Sequence, residues 1–94
     1  MAEQHSDDVV RVQWEALVGL CAGIFTALGI PADESADSSR ILVAADARGI
    51  PSHGVARINR YAEGIRLGVI KGGIQPQILR ETPITATLDA QGAM

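Results

Sequence analysis

A length of 94 residues, 47% hydrophobic and 20% charged, describes one small domain or a piece of a larger one. A formal net charge of −3, with no run of Lys or Arg, excludes a nucleic-acid binder, which needs clustered cations to neutralise phosphates. The single cysteine, Cys21, excludes an internal disulfide, and the longest uncharged run, "ALVGLCAGIFTALGIPA", is too short and too punctuated to span a bilayer.

Residues 1–8, "MAEQHSDD", read as a flexible polar tail in which His5 is solvated. The acidic residues Glu3, Asp7 and Asp8 do not suit a secretory signal, so a cytoplasmic protein is expected. From Val10 the apolar positions step by four and three through Trp14, Leu17, Cys21, Ile24 and Leu28. That is one stripe of a helix, with Trp14 as a core anchor and Cys21 as a buried thiol. Gly29 and Pro31 end it. Asp33 or Ser35 is placed to cap a second helix running to about Arg48, with an apolar centre at Ile41, Leu42 and Val43 and Gly49 as its stop.

A third helix is expected from Ser52, as N-cap, to about Leu67, with Val55, Ile58, Ala62 and Ile65 on its buried face and Gly68 ending it. After a turn-rich connection, "QILRE" and "ITATLDA" read as two short strands around Thr82-Pro83. In the second, Ile84, Ala86 and Leu88 alternate with Thr85, Thr87 and Asp89, the pattern of a half-buried strand. The expected class is α+β: three helices followed by a short β-hairpin. A hairpin alone is barely stable, so the pair looks unfinished.

The chemistry concentrates in "DARGIPSHGVAR", residues 46–57. With Ser52 as N-cap, His53 lies in the first helical turn beside free amides and the positive end of the helix dipole. Arg57 is one turn later, and Arg60 and Gly64 continue the same face. A histidine that exchanges one proton and a guanidinium whose planar fork holds a carboxylate suit a small 2-oxo or 2-hydroxy acid. Spacing alone also allows a plain capped helix with solvated histidine and arginine. Asp46 lies back in the second helix and is given no part in orienting the imidazole. Adjacent Ser52 and His53 are not expected to face each other as a nucleophilic pair does. "GVIKGG" lacks the Gly-x-Gly-x-x-Gly spacing of a phosphate loop.

"LVAADARGIPSHGVARINRYAEGIRLGVIKGG" resembles the N-terminal region of the malate/L-lactate dehydrogenase family, through Ala45, Asp46, Gly49, Ser52, His53, Gly54, Val55, Arg57, Tyr61, Gly68 and Ile70. Over roughly residues 10–92 the flanking segments fit as well. The resemblance implies a larger, non-Rossmann, NAD- or NADP-dependent oxidoreductase, typically a homodimer, acting on a small 2-hydroxy or 2-oxo carboxylic acid. It implies His53 as the catalytic acid/base, Arg57 as the substrate-carboxylate clamp and Ser52 as a supporting substrate-side residue; Arg48 and Tyr61 are assigned structure. Pro51 departs from the aspartate common in the family. Family members are several times longer, so residues 9–94 are expected to be a helical region plus the start of a β-domain, without the cofactor domain and with little activity alone. A stand-alone helical interaction module is the alternative. No metal, nucleic acid or membrane partner is expected.

Overall fold

The computed structural model describes residues 10–94, so the tail expected at residues 1–8, with His5, lies outside the described residues. Three α-helices precede an antiparallel hairpin: α1 is Trp14–Ala27, α2 Ala32–Ala47, α3 Ile58–Arg66, β1 Gln77–Glu81 and β2 Ala86–Asp89. This is the α+β class and element order that the sequence implies.

Each helix ends at a glycine that lets the chain turn left-handed. At Gly49, φ is +77°. Its N–H donates to the Asp46 carbonyl at 3.0 Å, and the Ile50 N–H reaches back to the Ala45 carbonyl at 2.9 Å. Those two bonds satisfy carbonyls that the last turn of α2 leaves open. Gly29 and Gly68 close α1 and α3 in the same manner.

The start of α2 differs from expectation. Neither Asp33 nor Ser35 caps it; Pro31 stands at the N-cap position, with Ala32 opening the helix. Proline presets its own φ for an extended entry and brings no N–H of its own to that end of the helix. Asp33 instead accepts from the Glu34 amide, and Ser35 is buried, its hydroxyl donating to the Ile30 carbonyl at 3.2 Å.

The core forms where α1 packs along α2. α1 buries Val18, Cys21 and Phe25, and α2 buries Ser35, Ser39, Leu42 and Val43. Phe25, Ile30 and Leu42 make the central cluster, against which Val55, Ile58, Tyr61, Ile65 and Met94 pack. The buried face expected of the third helix is therefore present. The inward face of α1 keeps Cys21 buried and Leu17, Ile24 and Leu28 half-buried, as expected, but it is rotated: Trp14 is 44% exposed, while Val18 and Phe25 join the interior. α1 carries apolar residues on nearly every side, so its period leaves the exact rotation of that face open. Phe25 is fully buried in the cluster with Ile30 and Leu42, and that packing sets the rotation of the helix.

The hairpin pairs Ile78 with Leu88 and Glu81 with Ala86, with a bulge between Ile78 and Arg80. Every residue of both strands is exposed, so the half-buried pattern expected of Ile84, Ala86 and Leu88 is not realised. No other layer among the described residues covers either face of the pair. Its base is nevertheless tied to the helices. The Glu34 carboxylate accepts the Gly73 N–H at 3.0 Å to each oxygen, and the Met94 N–H donates to the Lys71 carbonyl at 3.1 Å.

Candidate active site

The segment between α2 and α3 is two short 3₁₀ turns, Pro51–His53 and Val55–Arg57, joined by Gly54 in an extended conformation. Pro51 opens the first turn, a position that needs no N–H. The His53 N–H closes that turn on the Ile50 carbonyl at 3.0 Å, and the Arg57 N–H closes the second on the Gly54 carbonyl at 3.0 Å.

This geometry corrects three expectations. The α-helix starts at Ile58, so Ser52 is not its N-cap and His53 is not in its first turn; the helix-dipole argument has no helix at that point. The extended Gly54 interrupts the helical path. His53 and Arg57 consequently precede α3 rather than sharing one of its faces with Arg60 and Gly64. Finally, Ser52 and His53 do meet: Ser52 Oγ lies 2.9 Å from His53 Nδ1.

His53 and Ser52 are exposed and Arg57 is half-buried. Among the described residues, Arg57 makes no side-chain hydrogen bond or ion pair, whereas Arg40 pairs with Glu15 at 3.6 Å and Arg66 with Glu63 at 3.5 Å. The Ser52 contact occupies Nδ1 and leaves Nε2 of His53 open. Arg48 is an exposed cap residue of α2, and Tyr61 packs on the core, in keeping with the structural parts assigned to them.

The residue that sequence reasoning passed over is Asp46. Its Oδ2 accepts the Val55 N–H at 2.9 Å. Its carboxylate also fills the space that a Cβ on Gly54 would need. The available signal was a carboxylate in the last turn of a helix followed, beyond a short linker, by the glycine after His53. Asp46 further touches the electrostatics of the core: burial first, and its negative charge second, push the Cys21 thiol above its ordinary value of 9.0.

The glycine-rich stretch at 68–73 does not fit a dinucleotide phosphate. Its amides are already engaged, Lys71 N–H with the Gly92 carbonyl at 2.7 Å and Gly73 N–H with Glu34. The first turn of α2 carries Asp33 and Glu34, which repel an anion there. No group of three or more His, Cys, Asp or Glu converges on a metal-sized site among the described residues, and no described helix is long and apolar enough to cross a membrane.

A sequence model of the malate/L-lactate dehydrogenase family matches residues 12–94. Malate dehydrogenase from Pyrococcus abyssi is 37% identical over 83 residues, 88% of this chain and 23% of that protein. The NAD(+) ureidoglycolate dehydrogenase of Escherichia coli is 38% identical over 88 residues, 89% of this chain and 24% of that protein. The structure of malate dehydrogenase from Pyrococcus horikoshii superposes with a TM-score of 0.85 at 33% identity, covering 89% of this chain and 24% of that one. The chain thus spans about a quarter of the length of the relatives it matches.

Proposed function

The chain belongs to the malate/L-lactate dehydrogenase family, and we propose that it is the N-terminal part of an NAD(P)-dependent oxidoreductase interconverting a small 2-hydroxy acid and its 2-oxo acid. In this reading residues 9–94 are the helical region and the start of a β-domain, behind a tail at residues 1–8. His53 is the acid/base. Its Nε2 takes the substrate hydroxyl proton in oxidation and returns it to the carbonyl oxygen in reduction. Ser52 supports it from Nδ1: while Nε2 exchanges the proton, Nδ1 keeps its hydrogen and donates it to Ser52 Oγ, which holds the tautomer and the ring orientation. Arg57 grips the carboxylate shared by all substrates of this class through its planar fork.

NAD or NADP supplies the hydride exchange, and parts of the protein outside the described residues hold it. The protein works in the cytoplasm as a homodimer. The observation that most supports the reading is the 2.9 Å Ser52–His53 contact, an imidazole oriented on one side and open on the other. A second reading, a stand-alone interaction module, draws on the exposed Ile78, Ile84 and Leu88 of the hairpin.

Nicotinamide-cofactor oxidation by the full-length natural protein, against a panel of 2-oxo acids with the 94-residue chain alongside, decides between them. Turnover by the longer form is expected; none by either, with a folded chain, favours the module. His53→Ala is expected to abolish turnover while cofactor binding persists, and near-normal turnover would remove His53 from the mechanism. Arg57→Lys is expected to raise KM about tenfold, because a point charge replaces a bidentate fork. An unmoved KM would dismiss the clamp.

A further inference from the structure

We propose that Asp46 is the positioning residue of this site, fixing the backbone on which His53 and Arg57 stand without touching substrate; the inference rests on the reading of His53 as the acid/base. Both candidate side chains come from 3₁₀ turns, and the two turns meet at the Gly54–Val55 peptide. A 3₁₀ turn is a short, weakly held element that requires an external anchor to keep one geometry. Asp46 provides it from a rigid helix. Its Oδ2 takes the Val55 N–H at 2.9 Å, and its carboxylate lies against Gly54, which is buried and has no room for a Cβ.

The placement of the carboxylate supports a task beyond helix stability. Asp46 sits in the last turn of α2, the negative end of the helix dipole, where the one basic neighbour at that end is the exposed cap residue Arg48. A carboxylate at that end is disfavoured. A charge-assisted bond to the Val55 amide offsets this, and that bond exists only when the loop folds back onto α2. Asp46 also differs from a partner for the imidazole. Its carboxylate is directed at the Gly54–Val55 backbone, while His53 Nδ1 is engaged by Ser52.

The test uses the full-length natural protein and two readouts, turnover and hydrogen exchange at the Val55 amide. Asp46→Ala is expected to lower kcat at least tenfold and to speed Val55 exchange at least tenfold. Asp46→Asn keeps an acceptor oxygen, so it is expected to retain a third or more of kcat, with slow exchange and an unmoved pH–rate profile. Wild-type kcat or wild-type exchange in Asp46→Ala overturns the proposal. An Asp46→Asn enzyme as impaired as Asp46→Ala, with a displaced pH–rate profile, also overturns it, because Asp46 would then act by charge on the imidazole. If Asp46→Ala does not fold, Gly54→Ala carries the test. Its methyl group displaces the carboxylate and must produce the same fall in kcat and the same fast exchange; wild-type behaviour overturns the proposal. Should the unaltered protein turn over no 2-oxo acid, the dehydrogenase reading fails by itself, and the exchange measurements still decide whether Asp46 pins the loop.

Discussion

Cys21 and Asp46 show how one residue's chemistry depends on what folding places beside it. The Cys21 thiol is 1% exposed, and burial together with the Asp46 carboxylate raises it above its ordinary value. It therefore stays protonated at neutral pH and resists alkylation, which requires the thiolate. In the folded chain iodoacetamide should label it far more slowly than in denaturant; equal rates would place the thiol outside the core. Because the folded value is the higher one, the unfolded chain loses this proton first as pH rises. Stability that is present below the ordinary value of 9.0 is then lost progressively through the folded value. Denaturant titrations at pH 7 and pH 10 should show a drop that is smaller in Cys21→Ala. The sequence marks Cys21 as a buried thiol and Ser52, His53 and Arg57 as the chemical candidates. It does not reveal the target of Asp46, because that carboxylate and the Val55 amide meet only after the chain reverses at Gly49.

At the scale of elements, punctuation was more legible than orientation. Gly29, Gly49 and Gly68 stop their helices for a local reason, the positive φ that each adopts. The stripe through Leu17, Cys21, Ile24 and Leu28 does turn inward, but its exact rotation, with Phe25 in and Trp14 out, is a pairwise property of α1 and α2. Two substitutions test the observed face. Phe25→Ala leaves a cavity in the central cluster and should cost about 3–5 kcal/mol in a urea titration. Trp14→Ala, at a partly exposed position, should cost no more than about half of that. Equal losses would restore the stripe that begins at Trp14. The start of α3 failed for a related reason: Ser52 has the right chemistry for a cap, but the Asp46 carboxylate captures the Val55 amide and holds the chain in an extended link before a helix can begin.

The described residues extend over 57 × 32 × 22 Å, with a radius of gyration of 16.4 Å. A compact domain of this length would have about 12 Å. The hairpin leaves Ile78, Leu79, Ile84 and Leu88 facing solvent. Apolar strands exposed in this way favour association. The 94-residue chain alone should show concentration-dependent self-association in sedimentation velocity, and Ile84→Lys with Leu88→Lys should reduce it. Unchanged association would assign it to another surface. In a longer protein the same faces would be covered, and the doubly substituted form should then lose stability.

The sequence by itself determined the number and order of helices, their glycine stops, the two strands, the buried face of the third helix and the family. Each of these depends on residues close in the chain or on a pattern of residue types kept in register. Only the tertiary structure decided how α1 is rotated about its stripe, that His53 stands on a 3₁₀ turn with Ser52 at its Nδ1, and that Asp46 grips the loop behind it. Those outcomes depend on volumes and hydrogen-bond partners contributed by segments that become neighbours only once the chain has folded back on itself.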